Sequence, residues 1–233
     1  LSTNNVQNWN GNFTFTGTRD LNLGTGNVTM GASRTVTVNA GNLTVGGTGK
    51  TPMSAWMAQE MLRRGIRPAI LLRGYGDDEP AVHRTLTPEA VVIADADRVR
   101  GATAAPAAGA PVIILDDGFQ HRRAARDLDL VLVAAEQGVP TRLLPAGPLR
   151  EPQRAMARAS LLIVTRKSAS VAQATEVAEA WSHYTRRAPV VLASLVLDAV
   201  CPVASSMAEP LPLRALSGQR VLAIAGIGDP AAF

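Results

Sequence analysis

From Leu1 to about Ala40, apolar positions alternate with Thr and Asn, as in Phe13-Thr14-Phe15, Leu21-Asn22-Leu23 and Val36-Thr37-Val38. A period of two is the mark of a half-buried strand. The alternation comes in copies: Gly11-Asn12-Phe13-Thr14-Phe15, Gly26-Asn27-Val28-Thr29-Met30 and Gly41-Asn42-Leu43-Thr44-Val45 stand about 15 residues apart. Short strands separated by Gly-containing turns at a fixed spacing predict hairpins or the coils of a β-solenoid, in which each repeat buries its face by stacking on the next. A solvated leader has the same composition. Residues 1–40 are therefore set apart as an Asn/Thr/Gly-rich β-repeat leader, preceding a core over 41–233.

After Pro52 the period changes. Met53, Trp56, Met57 and Met61 recur at helical spacing behind a proline suited to a first turn, and the pattern stops at Gly65. Uninterrupted apolar runs of strand length follow at 69–72, 111–115, 128–133, 161–165, 190–195 and 221–225, with helix-like stretches such as 170–186 between them. Strands without alternation are covered on both faces, so the pattern predicts a three-layer α/β domain around a mostly parallel sheet. Its reactive edge is expected at the carboxyl ends of the strands.

Composition narrows the partners. With 233 residues, 46% of them hydrophobic, the chain can bury one substantial core. The net charge of +4 suits an anionic substrate, such as a nucleotide or phospholipid. Four Phe, two Tyr and three Trp, with no basic run interleaved among them, argue against a nucleic-acid module. A lone cysteine, Cys201, can form no internal disulfide. The sequence has no apolar run of transmembrane length and no secretory signal at its start.

Two stretches carry chemistry. Gly46-Gly47-Thr48-Gly49-Lys50-Thr51 reads as a phosphate-cradling loop: small residues let backbone N–H groups close on an anion, and the lysine reaches the terminal phosphate. Thr44 stands where the strict pattern has its first glycine, but the apolar lead-in and the helix behind Pro52 supply the expected context. Lys50 is the candidate to neutralise a transferred phosphoryl group, and Thr51 to hold Mg²⁺ through its hydroxyl. Farther on, the run Val112-Ile113-Ile114-Leu115 ends in Asp116-Asp117, two carboxylates placed to complete a metal site beside such a loop. Arg73, Arg122, Arg123 and Arg150 could pair with phosphates or with surface carboxylates. His121, beside an arginine pair, suits a structural or substrate-facing place as well as a catalytic one and is not taken as the base; no role follows for His83 or His183.

The run Asp116-Asp117-Gly118-Phe119-Gln120-His121-Arg122-Arg123 resembles the signature of the tetraacyldisaccharide 4′-kinases, the lipid A kinases of Gram-negative bacteria. Agreeing stretches follow in order: 41–52, Arg73-Gly74-Tyr75-Gly76, Asp78-Glu79-Pro80, Asp97-Arg98, 144–152 and Ala225-Gly226-Ile227-Gly228-Asp229-Pro230. The resemblance implies a P-loop fold and transfer of the ATP γ-phosphoryl group to the 4′-hydroxyl of an anionic lipid disaccharide, with ATP and Mg²⁺ as cofactors. It implies action at the cytoplasmic face of the inner membrane. It also maps the family's catalytic Gly-Asp-Glu-Pro carboxylate onto Asp78, with Asp77 in place of the glycine, to accept the hydroxyl proton or orient the attacking oxygen, and assigns the metal to Thr51, Asp116 and Asp117.

Two departures set further expectations. The polar leader replaces the family's hydrophobic docking segment, and the chain stops at Phe233, where family members continue for roughly a hundred residues. A kinase core of this extent is expected to bind Mg-ATP weakly at best and to turn over lipid poorly. Two rivals are another P-loop ATPase, whose signature lysine would stand where Val45 does, and a secreted β-repeat adhesin, which would need further copies of the repeat beyond Gly47; none appears.

Overall fold

The computed structural model describes residues 7–9, 28–30, 34–40, 48–74, 78–144, 146–196, 199–200 and 210–220. Seven strands form one sheet. Their ranges are β3 (Arg34–Ala40), β4 (Pro68–Leu72), β5 (Val91–Ala94), β6 (Val112–Asp116), β7 (Leu128–Ala134), β8 (Leu161–Arg166) and β9 (Val190–Ser194), in the spatial order β5-β4-β6-β3-β7-β8-β9. Every pairing in it is parallel. Two further strands, β1 (Gln7–Trp9) and β2 (Val28–Met30), pair parallel with each other, and β10 (Ala199–Val200) pairs antiparallel with β11 (Leu211–Pro212).

Parity along the strands sorts the core into two faces. Ile70, Leu72, Val112, Ile114, Leu130, Leu132 and Ile163 lie on one, under Ala58, Met53, Met57 and Met61 of helix α1 (Lys50–Arg63). The odd members of the same strands, Ala69, Leu71, Ile113 and Leu115, lie on the other with Ala105 of helix α3 (Arg98–Ala107). Farther along that second face, Val131, Val133, Leu162 and Val164 meet Ala174, Val177 and Trp181 of helix α4 (Val171–Ser182). Helix α2 (Asp78–Leu86) packs against α1, β4 and β5. The chain thus steps one way across the sheet through α1 and α2 on one face, and back through α3 and α4 on the other, as a single crossover handedness requires. The expected three-layer α/β domain is the observed one.

Four differences from the sequence reading have physical causes. The segment Arg34–Ala40, placed in the leader, is the middle strand of the sheet, paired with β6 from Arg34↔Val112 to Val38↔Asp116 and with β7 from Val36↔Leu128 to Ala40↔Leu132. Its Thr/Val alternation reads as a surface strand, and only the pairing of its backbone shows where it belongs. Trp56, grouped with the methionine stripe, is 55% exposed. Two residues from each of the buried Ser54 and Ala58, it is turned about 160° away from both. The third concerns α2, β5 and α3, which are short or Ala-rich and were not singled out by periodicity. The fourth is α4, which ends at Ser182 rather than near Arg186. The expected strand at 221–225 and the first repeat copy at 11–15 lie outside the described residues.

This topology has a switch point. The chain starts in the middle at β3, builds β4 and β5 on one side, inserts β6 between β4 and β3, and then adds β7, β8 and β9 on the other side. Ligands of open parallel sheets bind outside the carboxyl ends of the strands at such a reversal. Here that place lies beyond Ala40 and Asp116.

Candidate functional site

Helix α1 opens the site. Its N-cap is Gly49, at φ +84°, a left-handed conformation open to glycine at little cost. A side chain there would also displace Leu195, because an added Cβ would come within 2.6 Å of Leu195 Cδ1. No side chain caps the helix and no acidic residue lies in its first turn. Among the described residues nothing caps the positive end of the helix dipole, an arrangement that suits an anion. By contrast, α3 is capped by Asp97, whose carboxylate accepts from the N–H groups of Val99 and Arg100, and α4 by Ser170. The loop leading into α1 is anchored through Thr48, whose carbonyl lies 3.0 Å from Thr165 Oγ1 at the end of β8.

Strand β6 supplies the carboxylates. Asp116 is its last residue, and Asp117 follows at φ 54°, a left-handed position that Asp tolerates better than most residues. Lys50 Nζ, at the first position of α1, lies 3.5 Å from Asp117 Oδ1, and Arg150 Nη1 lies 3.4 Å from Asp117 Oδ2. The three are partly exposed, so each pair contributes at most about 1 kcal/mol to stability. Their role is placement: two cations and a carboxylate are gathered at the open end of α1.

Asp116 is buried, and its surroundings differ. His83 Nε2, from α2, lies 2.9 Å from Asp116 Oδ2, while Asp116 Oδ1 has no hydrogen-bond partner among the described residues. Arg98, itself 3% exposed, donates to the backbone carbonyls of Asp95 at 2.8 Å and Asp116 at 3.5 Å, tying the ends of β5 and β6 together. Burial lowers its pKa, partly offset by the charge of Asp117. Arg126 donates to the carbonyls of Gly118 and His121, bracing the turn behind the paired carboxylates. His121 has its pKa lowered by burial and then by Arg98.

Of the residues expected in the site, Thr48, Gly49, Lys50, Thr51, Asp116 and Asp117 fall at the adjoining ends of α1 and β6, whereas Gly46 and Gly47 lie outside the described residues. Asp78 is the exposed first residue of α2 and takes part in none of these contacts. Its neighbour Glu79 is the acid that feels the site: its pKa is raised by burial and then by Asp116, with Lys50 opposing. Sequence reasoning missed Glu79, Arg98 and His83. For His83 no spacing could have helped, because its partner is 33 residues away.

The donor set fits a hard cation. Asp116 has a buried oxygen left over, Asp117 adds a second carboxylate and Thr51 a hydroxyl-bearing side chain in the adjoining turn, and Mg²⁺ commonly takes one or two carboxylates with phosphate and water completing its shell. No cluster of three or more His, Cys, Asp or Glu that could hold a metal occurs among the described residues. No described helix is long and apolar enough to cross a membrane.

Comparison with known proteins points the same way. The family model described as tetraacyldisaccharide-1-P 4′-kinase matches residues 14–90 and 76–233. A tetraacyldisaccharide 4′-kinase of Anaeromyxobacter sp. (strain Fw109-5) is 37% identical over 212 residues, which cover 80% of this chain and 56% of that protein. That of Xanthomonas euvesicatoria pv. vesicatoria (strain 85-10) is 36% identical over 208 residues, covering 80% and 58%. The chain thus spans a little over half the length of these curated relatives. A crystal structure of LpxK from Aquifex aeolicus, an "apo" form in complex with ATP, superimposes with a TM-score of 0.62 at 29% identity, covering 81% of this chain and 61% of that one. Neither the other-ATPase reading nor the adhesin reading finds support in these matches.

Proposed function

Since the chain belongs to the tetraacyldisaccharide-1-P 4′-kinase family, we propose that it carries the nucleotide half of a lipid A 4′-kinase site, moving the γ-phosphoryl group of ATP to the 4′-hydroxyl of a tetraacyldisaccharide 1-phosphate. The observation that carries this reading is the uncapped start of α1 facing the Asp116-Asp117 pair, with Lys50 3.5 Å from Asp117.

In the reaction the acceptor oxygen attacks the γ-phosphorus, the bond from that phosphorus to the β–γ bridging oxygen breaks, and ADP leaves with the electron pair. The proton of the acceptor hydroxyl needs a base, and Asp78 at the head of α2 is the residue we assign to it. The free N–H groups of the first turn of α1 and the loop Gly46-Gly47-Thr48-Gly49 cradle the phosphates. Lys50 exchanges its contact with Asp117 for the γ-phosphate and neutralises the charge that spreads over its oxygens. Arg150, held by the same carboxylate, is placed to meet an anionic group of nucleotide or lipid. Thr51, Asp116 and Asp117 would hold Mg²⁺, which would supply positive charge to offset the negative charge that develops on the leaving group. The lipid acceptor places the working enzyme at a membrane surface, on the cytoplasmic face where ATP is available. The family match begins at residue 14, which supports a core starting ahead of Ala40.

The test is equilibrium binding of a fluorescent ATP analogue to the chain and to Lys50→Ala. A loss of at least tenfold in affinity is expected; equal affinities would remove Lys50 from the site. Transfer of labelled γ-phosphate to the lipid disaccharide 1-phosphate then checks the acceptor.

A further inference from the structure

We propose that His83 is a positioning residue for the cation site: it holds Asp116 through one carboxylate oxygen and so presents the other to Mg²⁺. The inference rests on the Mg-nucleotide reading above and extends it to a residue outside the sequence motifs. Three observations carry it. The ring of His83 is buried, its side chain only 1% exposed, in a helix whose other fully buried side chain is Pro80. Its Nε2 is 2.9 Å from Asp116 Oδ2, whereas Nδ1 has no hydrogen-bond partner among the described residues. Asp116 mirrors this, with Oδ2 engaged and Oδ1 left over.

A side chain that served packing alone would not leave a buried ring nitrogen unmatched, since an aliphatic residue fills such a site without that cost. What the imidazole adds is one directed contact to Asp116. With Nε2 carrying the hydrogen, the ring donates to Oδ2 and fixes the carboxylate's rotation about its terminal bond, a torsion that is otherwise broad. The free oxygen then has a single orientation. Partners that orient metal-binding side chains from behind are worth about 10- to 100-fold in metal affinity. His83 also ties α2 to the end of β6. The helix that begins with Asp78 and Glu79 is thereby set against the carboxylates they are to work beside.

The experiment reads binding, not turnover. Affinity of a fluorescent ATP analogue is measured across a Mg²⁺ titration, and again in excess chelator, for the chain, His83→Leu and His83→Gln. The Gln side chain brings an amide donor close to where Nε2 stands. His83→Leu is expected to raise the Mg²⁺ concentration at half-effect about tenfold, within the range for such partners. Its chelator affinity should stay within about twofold, and His83→Gln should recover most of the shift. In an Asp116→Asn background, His83→Leu should add nothing, because the partner through which it acts is gone. If Leu at 83 yields no folded protein, His83→Asn, whose shorter amide withdraws from Asp116, is read on the same two scales. An unshifted Mg²⁺ midpoint, or equal weakening with and without Mg²⁺, overturns the proposal and leaves the nucleotide site standing. Absence of any Mg²⁺ dependence in the unsubstituted chain overturns both.

Discussion

Gly49 concentrates the demands of the site in one residue. Its φ of +84° costs any L-residue on the order of 1 kcal/mol or more, and a built Cβ would stand 2.6 Å from Leu195 Cδ1, so that the leucine side chain would have to shift. Gly49→Ala is therefore expected to lower unfolding free energy by about 2 kcal/mol, summing strain and overpacking. It should weaken nucleotide binding by more than that loss explains, because the first turn of α1 must tilt. Chemical denaturation and ATP-analogue titration check the two parts. Adding Leu195→Ala should return some stability, since it removes the clash while the backbone strain persists. This residue was legible in the sequence, as were Lys50, Asp116 and Asp117, because their chemistry follows from adjacency along the chain. His83 and Arg98 were not. Each acts on Asp116 across the fold, His83 from 33 residues away and Arg98 from 18, and in both cases the two residues belong to different elements, so no single helical or strand period joins them. Asp78 and Glu79 illustrate a finer limit: the motif names both, and only the fold tells that Glu79 has its pKa raised, by burial and then by the charge of Asp116.

At the scale of elements, legibility followed hydrophobic continuity. Strands β4, β6, β7 and β8 are runs of Ala, Ile, Leu and Val and could be located to within a residue or two, whereas α3, with Gly101 and Pro106 among its alanines, has almost no polar face to reveal a period. What joins such elements is as informative as the elements themselves. Between β8 and α4 the chain turns through Lys167, Ser168 and Ala169, and all three N–H groups donate to Glu136 Oε1, at 2.6, 3.0 and 3.1 Å. Partial burial alone would raise the carboxyl's pKa; the backbone hydrogen bonds outweigh it and the net shift is downward from the ordinary value near 4.5. A carboxyl with a lowered folded pKa contributes stability that is complete above its unfolded value and is lost as pH falls through its folded one. Glu136→Gln should accordingly be less stable than the parent at pH 7, because an amide oxygen accepts more weakly than a carboxylate. The gap should start to close below about pH 4.5 and vanish in stronger acid. Thermal melts of both proteins across that range would show it; a gap that widened toward acid would mean that the turn is held by something other than the charge.

At the scale of the molecule, the decisive question is where the folding unit begins. Composition divides the chain near residue 40, because Asn, Thr and Gly give way there to Ala, Leu, Val and Arg. The sheet divides it elsewhere: β3 ends at Ala40 and is flanked by β6 and β7, so the strand that composition assigns to the leader joins the two halves of the sheet. Without it, β6 and β7 would each present an open row of backbone groups at the middle of the domain, and the loop before α1 would lose the strand from which it emerges. The two divisions predict opposite results for two shortened chains. A chain starting at residue 31 keeps β3 and should melt cooperatively, near the temperature of the whole. A chain starting at residue 41 lacks β3 and should show no cooperative transition, with ATP-analogue binding lost as well. Circular dichroism melts and the same fluorescence titration suffice. If the shorter chain melted like the longer one, the sheet would be able to close without β3, and the boundary drawn by composition would be the physical one.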